Sequence, residues 1–269
     1  TVIKAADQSG IATLWVRDVP FYDPSFGDVA QIYDPSVTLG YLAALTQNVA
    51  LGSAGYVSPL REPILTAKEA ASAEQISGGR FLLGLASGDR PTEYPAFASD
   101  FNNRAERYRE AWQIIRRLTQ EKFPAFNSEH YGRFSGNLDL VPKPAHGLPM
   151  LAIGRARQEL EWIARESDAW IWYGIAPEKL GDIVNTLKEL GDGETWKPFG
   201  VANFVELLED PNAPAEFYNN IYLRGGVEFW QKQQADGVAH ITVNLKPTRR
   251  GALETIQDFA ENVIPHFAV

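Results

Sequence analysis

What constrains this chain most is the alternation of two hydrophobic periods. Short apolar, β-prone runs occur at Thr13–Arg17, Val49–Tyr56, Phe81–Ala86, Met150–Ile153, Ala169–Trp172, Phe199–Leu207 and Ala239–Leu245. Between them lie helical stretches at Ser36–Thr46, Ile64–Ile76, Asn103–Gln120, Gln158–Glu166, Glu178–Leu190, Phe217–Ala235 and Arg250–Phe267. Alternation of this kind demands a parallel sheet with helices on its faces. The chain opens inside a further helix, Val2–Ser9, closed by Gly10. The strand count is therefore one short of a (β/α)8 TIM barrel, and the simplest reading puts the first strand upstream of Thr1. An open doubly wound sheet is the alternative; its dinucleotide-binding form carries G-x-G-x-x-G after an early strand, and no such run occurs. The Pro- and Gly-rich segment Phe123–Pro149 is too long for an ordinary connection and reads as an excursion over the barrel mouth. No composition shift marks a linker, so a single domain over residues 1–269 is expected.

Charge and composition narrow the function classes. With 25 Lys and Arg against 34 Asp and Glu the formal charge is −9, which disfavours nucleic acid as a partner. No apolar run approaches the roughly 20 residues of a membrane span, and Thr1–Gly10 lacks the apolar core of a signal peptide. The absence of cysteine excludes disulfides, zinc–thiolate sites and thiol nucleophiles and fits a cytoplasmic protein. His130, His146, His240 and His266 have no metal-site spacing, so no metal is expected.

In a barrel of this class, chemistry is built from the loops at the C-terminal ends of the strands. After the first visible strand come Arg17 and Asp18, then a loop to Asp34 carrying Phe21, Tyr22, Phe26 and Tyr33, which reads either as an apolar pocket wall or as packing. Gly52-Ser53-Ala54-Gly55 admits close approach by a flat ligand, or a bulge or tight internal packing. Ser87-Gly88-Asp89-Arg90 follows the next strand, and Arg104 and Arg107 open the helix after it. They suit an anion, or else surface pairs with Glu106 and Glu110. Gly154-Arg155-Ala156-Arg157 carries a stronger signal. Two guanidiniums at the expected start of a helix oppose its macrodipole, a cost that a bound phosphate relieves. In Ala239–Leu245, Ile241, Val243 and Leu245 share one face and His240, Thr242 and Asn244 the other. The apolar set should pack under helices, leaving Asn244 nearest a ligand and His240 as a hydrogen-bonded lumen residue. Trp170, Trp172 and Tyr173 crowd another strand end, as cofactor lining or as core.

Together these stretches resemble the bacterial luciferase-like monooxygenase superfamily. The resemblance rests on Leu51-Gly52-Ser53-Ala54-Gly55 through Pro59 and Pro63, Ala67-Lys68-Glu69, and Gln75-Ile76-Ser77-Gly78-Gly79-Arg80-Phe81-Leu82-Leu83-Gly84-Leu85. Val141-Pro142-Lys143-Pro144, Leu160-Glu161-Trp162-Ile163-Ala164 and Gly237-Val238 extend it over nearly the whole chain. It implies a (β/α)8 barrel binding reduced FMN, or in some branches a deazaflavin. The phosphate would sit on Gly154, Arg155, Ala156 and Arg157, helped by Ser87 and by Arg104 or Arg107. Ala54 and Gly55 would lie beside the flavin, joined by a cis peptide; from the strand-end reading above, Trp172 is the aromatic expected to line a planar cofactor. The luciferases proper have a catalytic histidine where this chain has Val19, so light emission is not expected. Arg17, Asp18 and Asn244 remain the nearest catalytic candidates, without assigned roles.

The leading expectation is a flavin-dependent monooxygenase using reduced FMN and O2 on a small hydrophobic organic substrate, supplied by a separate flavin reductase and forming a homodimer. A deazaflavin-dependent dehydrogenase is the near rival. A barrel glycoside hydrolase using Asp18 and Glu206 has no use for the arginine-rich turn. A flavin-binding protein without turnover is the reading outside enzymology.

Overall fold

The computed structural model describes residues 1–26, 32–191, 197–210, 213, 216–218, 221–224 and 227–267. They divide into two compact units, one of residues 13–158 and one of residues 1–12 with 159–269. The chain enters through α1 (Val2–Gln8), which belongs to the second of these.

In the first unit, parallel strands alternate with helices as the sequence periods require. β1 (Thr13–Val16) pairs with β2 (Ala50–Ser53), which pairs with β4 (Phe81–Ala86) beyond the two-residue β3 (Tyr56–Val57). β4 in turn pairs with β3 and with β7 (Met150–Ile153), all in parallel. Between them run α2 (Pro35–Leu45), α3 (Pro63–Ser77) and α4 (Arg104–Gln120). Local chemistry sets their ends. Proline opens both α2 and α3, where a missing N–H is harmless, and the Asp34 carboxylate caps the Val37 N–H of α2 at 3.0 Å. Gly78, at φ 69°, closes α3 in the left-handed conformation. Leu51, Phe81, Leu83, Leu85, Met150 and Ala152 are buried on the strands; Tyr108, Trp112 and Ile115 of α4 are buried with them. The Phe123–Pro149 excursion contains an antiparallel hairpin, β5 (Ala125–Ser128) and β6 (Gly132–Ser135), with Phe126 and Phe134 stacked at 5.2 Å.

The second unit is built on β9 (Phe199–Leu207), which pairs in parallel with β8 (Ala169–Tyr173), β11 (Ile221–Arg224) and β12 (His240–Asn244). β10 (Glu216–Tyr218) pairs antiparallel with β11. The helices are α5 (Leu160–Glu166), α6 (Leu180–Leu190), α7 (Glu228–Ala235) and α8 (Ala252–Asn262). Ile241, Val243 and Leu245 pack on Trp230 of α7 and Phe259 of α8, as their alternation predicts.

Two expectations need correction. Phe217–Ala235 is not one helix: its first part supplies β10's end and β11, and only Glu228–Ala235 is helical. The aromatic and β-branched residues Phe217, Tyr218, Ile221 and Tyr222 favour strand, and Gly225-Gly226 punctuates the sequence before α7. The helix expected from Gln158 begins at Leu160, with Glu159 in extended backbone as its cap. Within the Val19–Asp34 loop, Gly27–Gln31 lie outside the described residues. Among the described residues no helix is long and apolar enough to cross a membrane.

Candidate anion and cofactor site

The arginine-rich turn after β7 adopts the backbone that an anion cradle needs. Gly154, Ala156 and Arg157 all have positive φ, at 65°, 46° and 59°. For the two non-glycine residues that conformation costs roughly 1–2 kcal/mol each. Successive backbone N–H groups in such a turn form a concavity suited to an anion. The sequence reading placed this cradle on the first turn of the following helix, but α5 starts later, at Leu160. The turn meets the start of α4 instead.

At that start the polar groups are conspicuously short of partners. Asn103, the cap residue of α4, makes no side-chain capping bond, and its buried Oδ1 has no hydrogen-bond partner. Arg104, the first helical residue, is only 8% exposed. Its guanidinium lies 3.4 Å from the Phe101 ring centroid and donates to the Phe101 carbonyl, while Nε is buried without a partner. Burial lowers the pKa of the Arg104 guanidinium, and the charge of Arg157 lowers it further. A buried cation next to a second cation is a costly arrangement in the absence of an anion.

Ser87 joins this neighbourhood through a chain of contacts. It is buried at the end of β4, and its carbonyl accepts from the Tyr94 hydroxyl. The Tyr94 ring meets Phe101 edge-on at 5.0 Å, and Phe101 carries Arg104. Arg107, the alternative to Arg104, is committed elsewhere. Its Nε donates to the Pro59 carbonyl at 3.1 Å and its guanidinium covers the Tyr131 ring at 4.6 Å. Arg155 is partly buried, and one of its terminal nitrogens reaches the Gln158 carbonyl at 3.3 Å.

The Ala54–Gly55 peptide is cis, as the resemblance implied. The small residues around it are explained by internal packing. A Cβ on Gly52 would fall 2.2 Å from Trp15, and one on Gly55 would fall 2.7 Å from Ile153 and 2.9 Å from the Gly84 carbonyl. Those clearances account for the glycines without a ligand, through neighbouring strands and not through a helix.

Among the catalytic candidates, Asp18 is fully engaged. Its Oδ2 accepts from Arg61 Nε at 2.7 Å and from the Val57 N–H at 2.9 Å, and its Oδ1 accepts from Arg61 at 2.8 Å. Arg61 also stands 3.6 Å from Asp34, 3.7 Å from Glu69 and 4.6 Å from the Tyr56 ring centre. Arg17 is half-buried beyond β1. In the second unit, Trp172 stacks on Trp170 at 5.2 Å, and the Asn244 side chain accepts from the Lys246 N–H at 3.0 Å, closing the end of β12. His240 is half-buried, and burial lowers its pKa. Glu206 lies 3.6 Å from Arg249. Of the four loop aromatics, Phe21 packs on Phe97 at 5.7 Å and Phe26 lies under Arg90 at 4.5 Å, while Tyr22 and Tyr33 are exposed. Among the described residues no cluster of metal-ligating side chains occurs.

Sequence reasoning did not anticipate Asn103, Phe101 or Gln158. The one available signal was the Asn102-Asn103 pair, a residue type that favours helix starts.

Comparison with known proteins agrees with this picture. A family model described as luciferase-like monooxygenase matches residues 1–240. The alkanal monooxygenase alpha chain of Photorhabdus luminescens is 25% identical over 184 residues, covering 68% of this chain and 47% of that one. An F420-dependent secondary alcohol dehydrogenase, solved with an F420–acetone adduct, superposes with a TM-score of 0.80 at 16% identity over 97% of this chain and 92% of its own. Monooxygenase RslO1 from Streptomyces bottropensis gives 0.77 at 18% identity over 99% and 93%. The fold is thus that of the luciferase-like TIM-barrel proteins, as the alternation of strands and helices predicts. By the extent of the family match, the chain belongs to the luciferase-like monooxygenase family.

Proposed function

We propose that the chain is a flavin-dependent monooxygenase that uses reduced FMN and O2 on a small hydrophobic organic substrate. The observation that carries this reading is the buried, uncompensated Arg104 beside Arg157. The charged and polar side chains that act on the Arg104 guanidinium are Arg157 and Tyr94, neither of them a carboxylate. A phosphate monoester, carrying close to two negative charges near neutral pH, can meet both the buried Arg104 and the exposed Arg157; a phosphodiester carries one and meets a single guanidinium. That difference favours FMN over a deazaflavin whose phosphate is esterified twice.

In this reading Arg104, Arg157 and the N–H groups of Gly154–Arg157 hold the phosphate, with Ser87 at the rim. Ala54 and Gly55 line the ring. Bound reduced flavin would supply two electrons to O2, with one oxygen atom entering the substrate and the other leaving as water. The chain's own contribution is to fix the cofactor by its phosphate and to keep water from the reacting face. A separate reductase would supply the reduced flavin in a cytoplasmic setting, and the working form would be a homodimer. The deazaflavin-dependent dehydrogenase remains the second reading, supported by the structural likeness to the F420-dependent alcohol dehydrogenase.

The test is equilibrium titration of the purified chain with FMN, riboflavin and F420. Tighter binding of FMN than of both others, abolished in Arg104→Met/Arg157→Met, is the expected result. Tighter binding of F420 would reverse the order of the two readings, and equal binding of FMN and riboflavin would remove the phosphate site.

A further inference from the structure

We infer that Gln158 is the positioning residue of the anion turn, holding Gly154–Arg157 against the first turn of α4. The inference rests on the phosphate reading above and names the group that keeps its two cationic halves together. Gln158 is 2% exposed, and every polar atom it owns is used. Its backbone N–H donates to the Arg155 carbonyl at 2.8 Å, and its carbonyl accepts from the Arg155 guanidinium at 3.3 Å. Its side-chain Nε2 donates both to the Ala156 carbonyl at 3.1 Å and to the Ala105 carbonyl at 3.0 Å. Its Oε1 accepts two bonds from the fork of Arg109, at 3.0 and 2.8 Å.

One amide therefore ties together the turn, the first turn of α4 and a residue further along that helix. Ala105 directly follows Arg104, and Ala156 directly precedes Arg157. The two residues that meet through Gln158 are the immediate neighbours of the two guanidiniums that repel each other. Left to themselves, the like charges and the left-handed backbone of Ala156 and Arg157 both favour opening the turn. The buried amide opposes both, because releasing it strands a donor and an acceptor away from water. Neither a carboxylate nor a lysine does the same: a carboxylate cannot donate to two carbonyls, and a lysine cannot accept from Arg109.

The test compares FMN, riboflavin and inorganic phosphate binding to the full chain in wild type, Gln158→Met and Gln158→Glu. Gln158→Glu keeps the pairing with Arg109, and with it the packing of α4, but loses both donations to carbonyls. Both variants are expected to weaken FMN by about tenfold, the loss of roughly one charge-assisted hydrogen bond, and to weaken competition by phosphate. Riboflavin affinity should stay at the wild-type level. A purely structural role would lower the thermal midpoint without moving the FMN-to-riboflavin ratio, and an unchanged ratio in either folded variant overturns the inference. If wild type itself shows no preference for FMN over riboflavin, the phosphate reading falls and this inference with it; if wild type prefers FMN and the variants do too, only the inference falls.

Discussion

Replacing Arg104 by methionine should separate stability from binding. The side chain is 8% exposed, so its removal is felt in the interior. What is lost is a charged donation to the Phe101 carbonyl, about 1.5–3 kcal/mol, and a cation–π contact worth about 0.5–2 kcal/mol. What is relieved is a buried cation with an unpartnered Nε next to Arg157, a penalty on the order of several kcal/mol per ion. Methionine fills most of the same volume and still packs on the Phe101 ring. The two sides nearly cancel, so the expected change is within about 1 kcal/mol of zero, or about 2–4 °C in midpoint for a chain of this size. Anion affinity has no such compensation. Losing one charge-assisted bond to a phosphate weakens binding by roughly 10- to 150-fold. The assay is urea unfolding followed by tryptophan fluorescence, beside FMN titration in chloride buffer at fixed ionic strength. A loss of more than about 2 kcal/mol together with unchanged FMN affinity would show that Arg104 is an ordinary core arginine and would refute the reasoning.

Three further outcomes follow from packing and charge elsewhere in the chain. Arg61→Met leaves the Asp18 carboxylate, 6% exposed, without its bidentate partner; urea unfolding should register a loss of about 3–5 kcal/mol, partly recovered in Asp18→Asn/Arg61→Met. Gly84→Ala would drive a Cβ to 2.0 Å from the Ser53 carbonyl and should cost about 1–3 kcal/mol or prevent folding, whereas Gly40→Ala, with open space in the interior of α2, should gain about 0.5–1 kcal/mol in the same measurement. Burial works against ionisation of Glu74, but the N–H groups of Ala145 and His146 and the His146 ring outweigh it and hold the carboxyl below its ordinary 4.5. Its contribution is therefore complete above pH 4.5 and drains away as pH falls through the lowered value, so Glu74→Gln should flatten the acid limb of a stability–pH curve.

Most of the first unit was legible because its strands are continuous apolar runs bounded by helix caps. Phe81–Ala86 and Met150–Ile153 lie where the runs predict, and Pro35, Pro63 and Gly78 mark helix ends by chemistry that needs no tertiary context. The misreading of Phe217–Ala235 came from a short hairpin whose two arms are too brief to display a period against the helix that follows. At the site, Gly154–Arg157 stood out because two arginines at the expected start of a helix oppose its macrodipole. What could not be read was the surface facing them. Arg104 and Arg107 are one turn apart and chemically identical, and they are told apart only by Pro59 and Tyr131, which engage one and not the other. Gln158 was hidden for the same reason, since Ala105 and Arg109 lie some fifty positions away. The glycines of Gly52–Gly55 show how one run can suit two readings, since Trp15 and Ile153 leave no room for a Cβ there whether or not a flat ligand lies alongside.

The crowding of positive charge at the head of α4 also bears on how the protein behaves outside its own chemistry. On the proposed reading, sulfate, orthophosphate or nucleotide in a preparation would compete for the same two guanidiniums, and anything bound there would raise the apparent melting temperature by mass action. Purification history and choice of buffer would then become variables of any affinity measured on this chain.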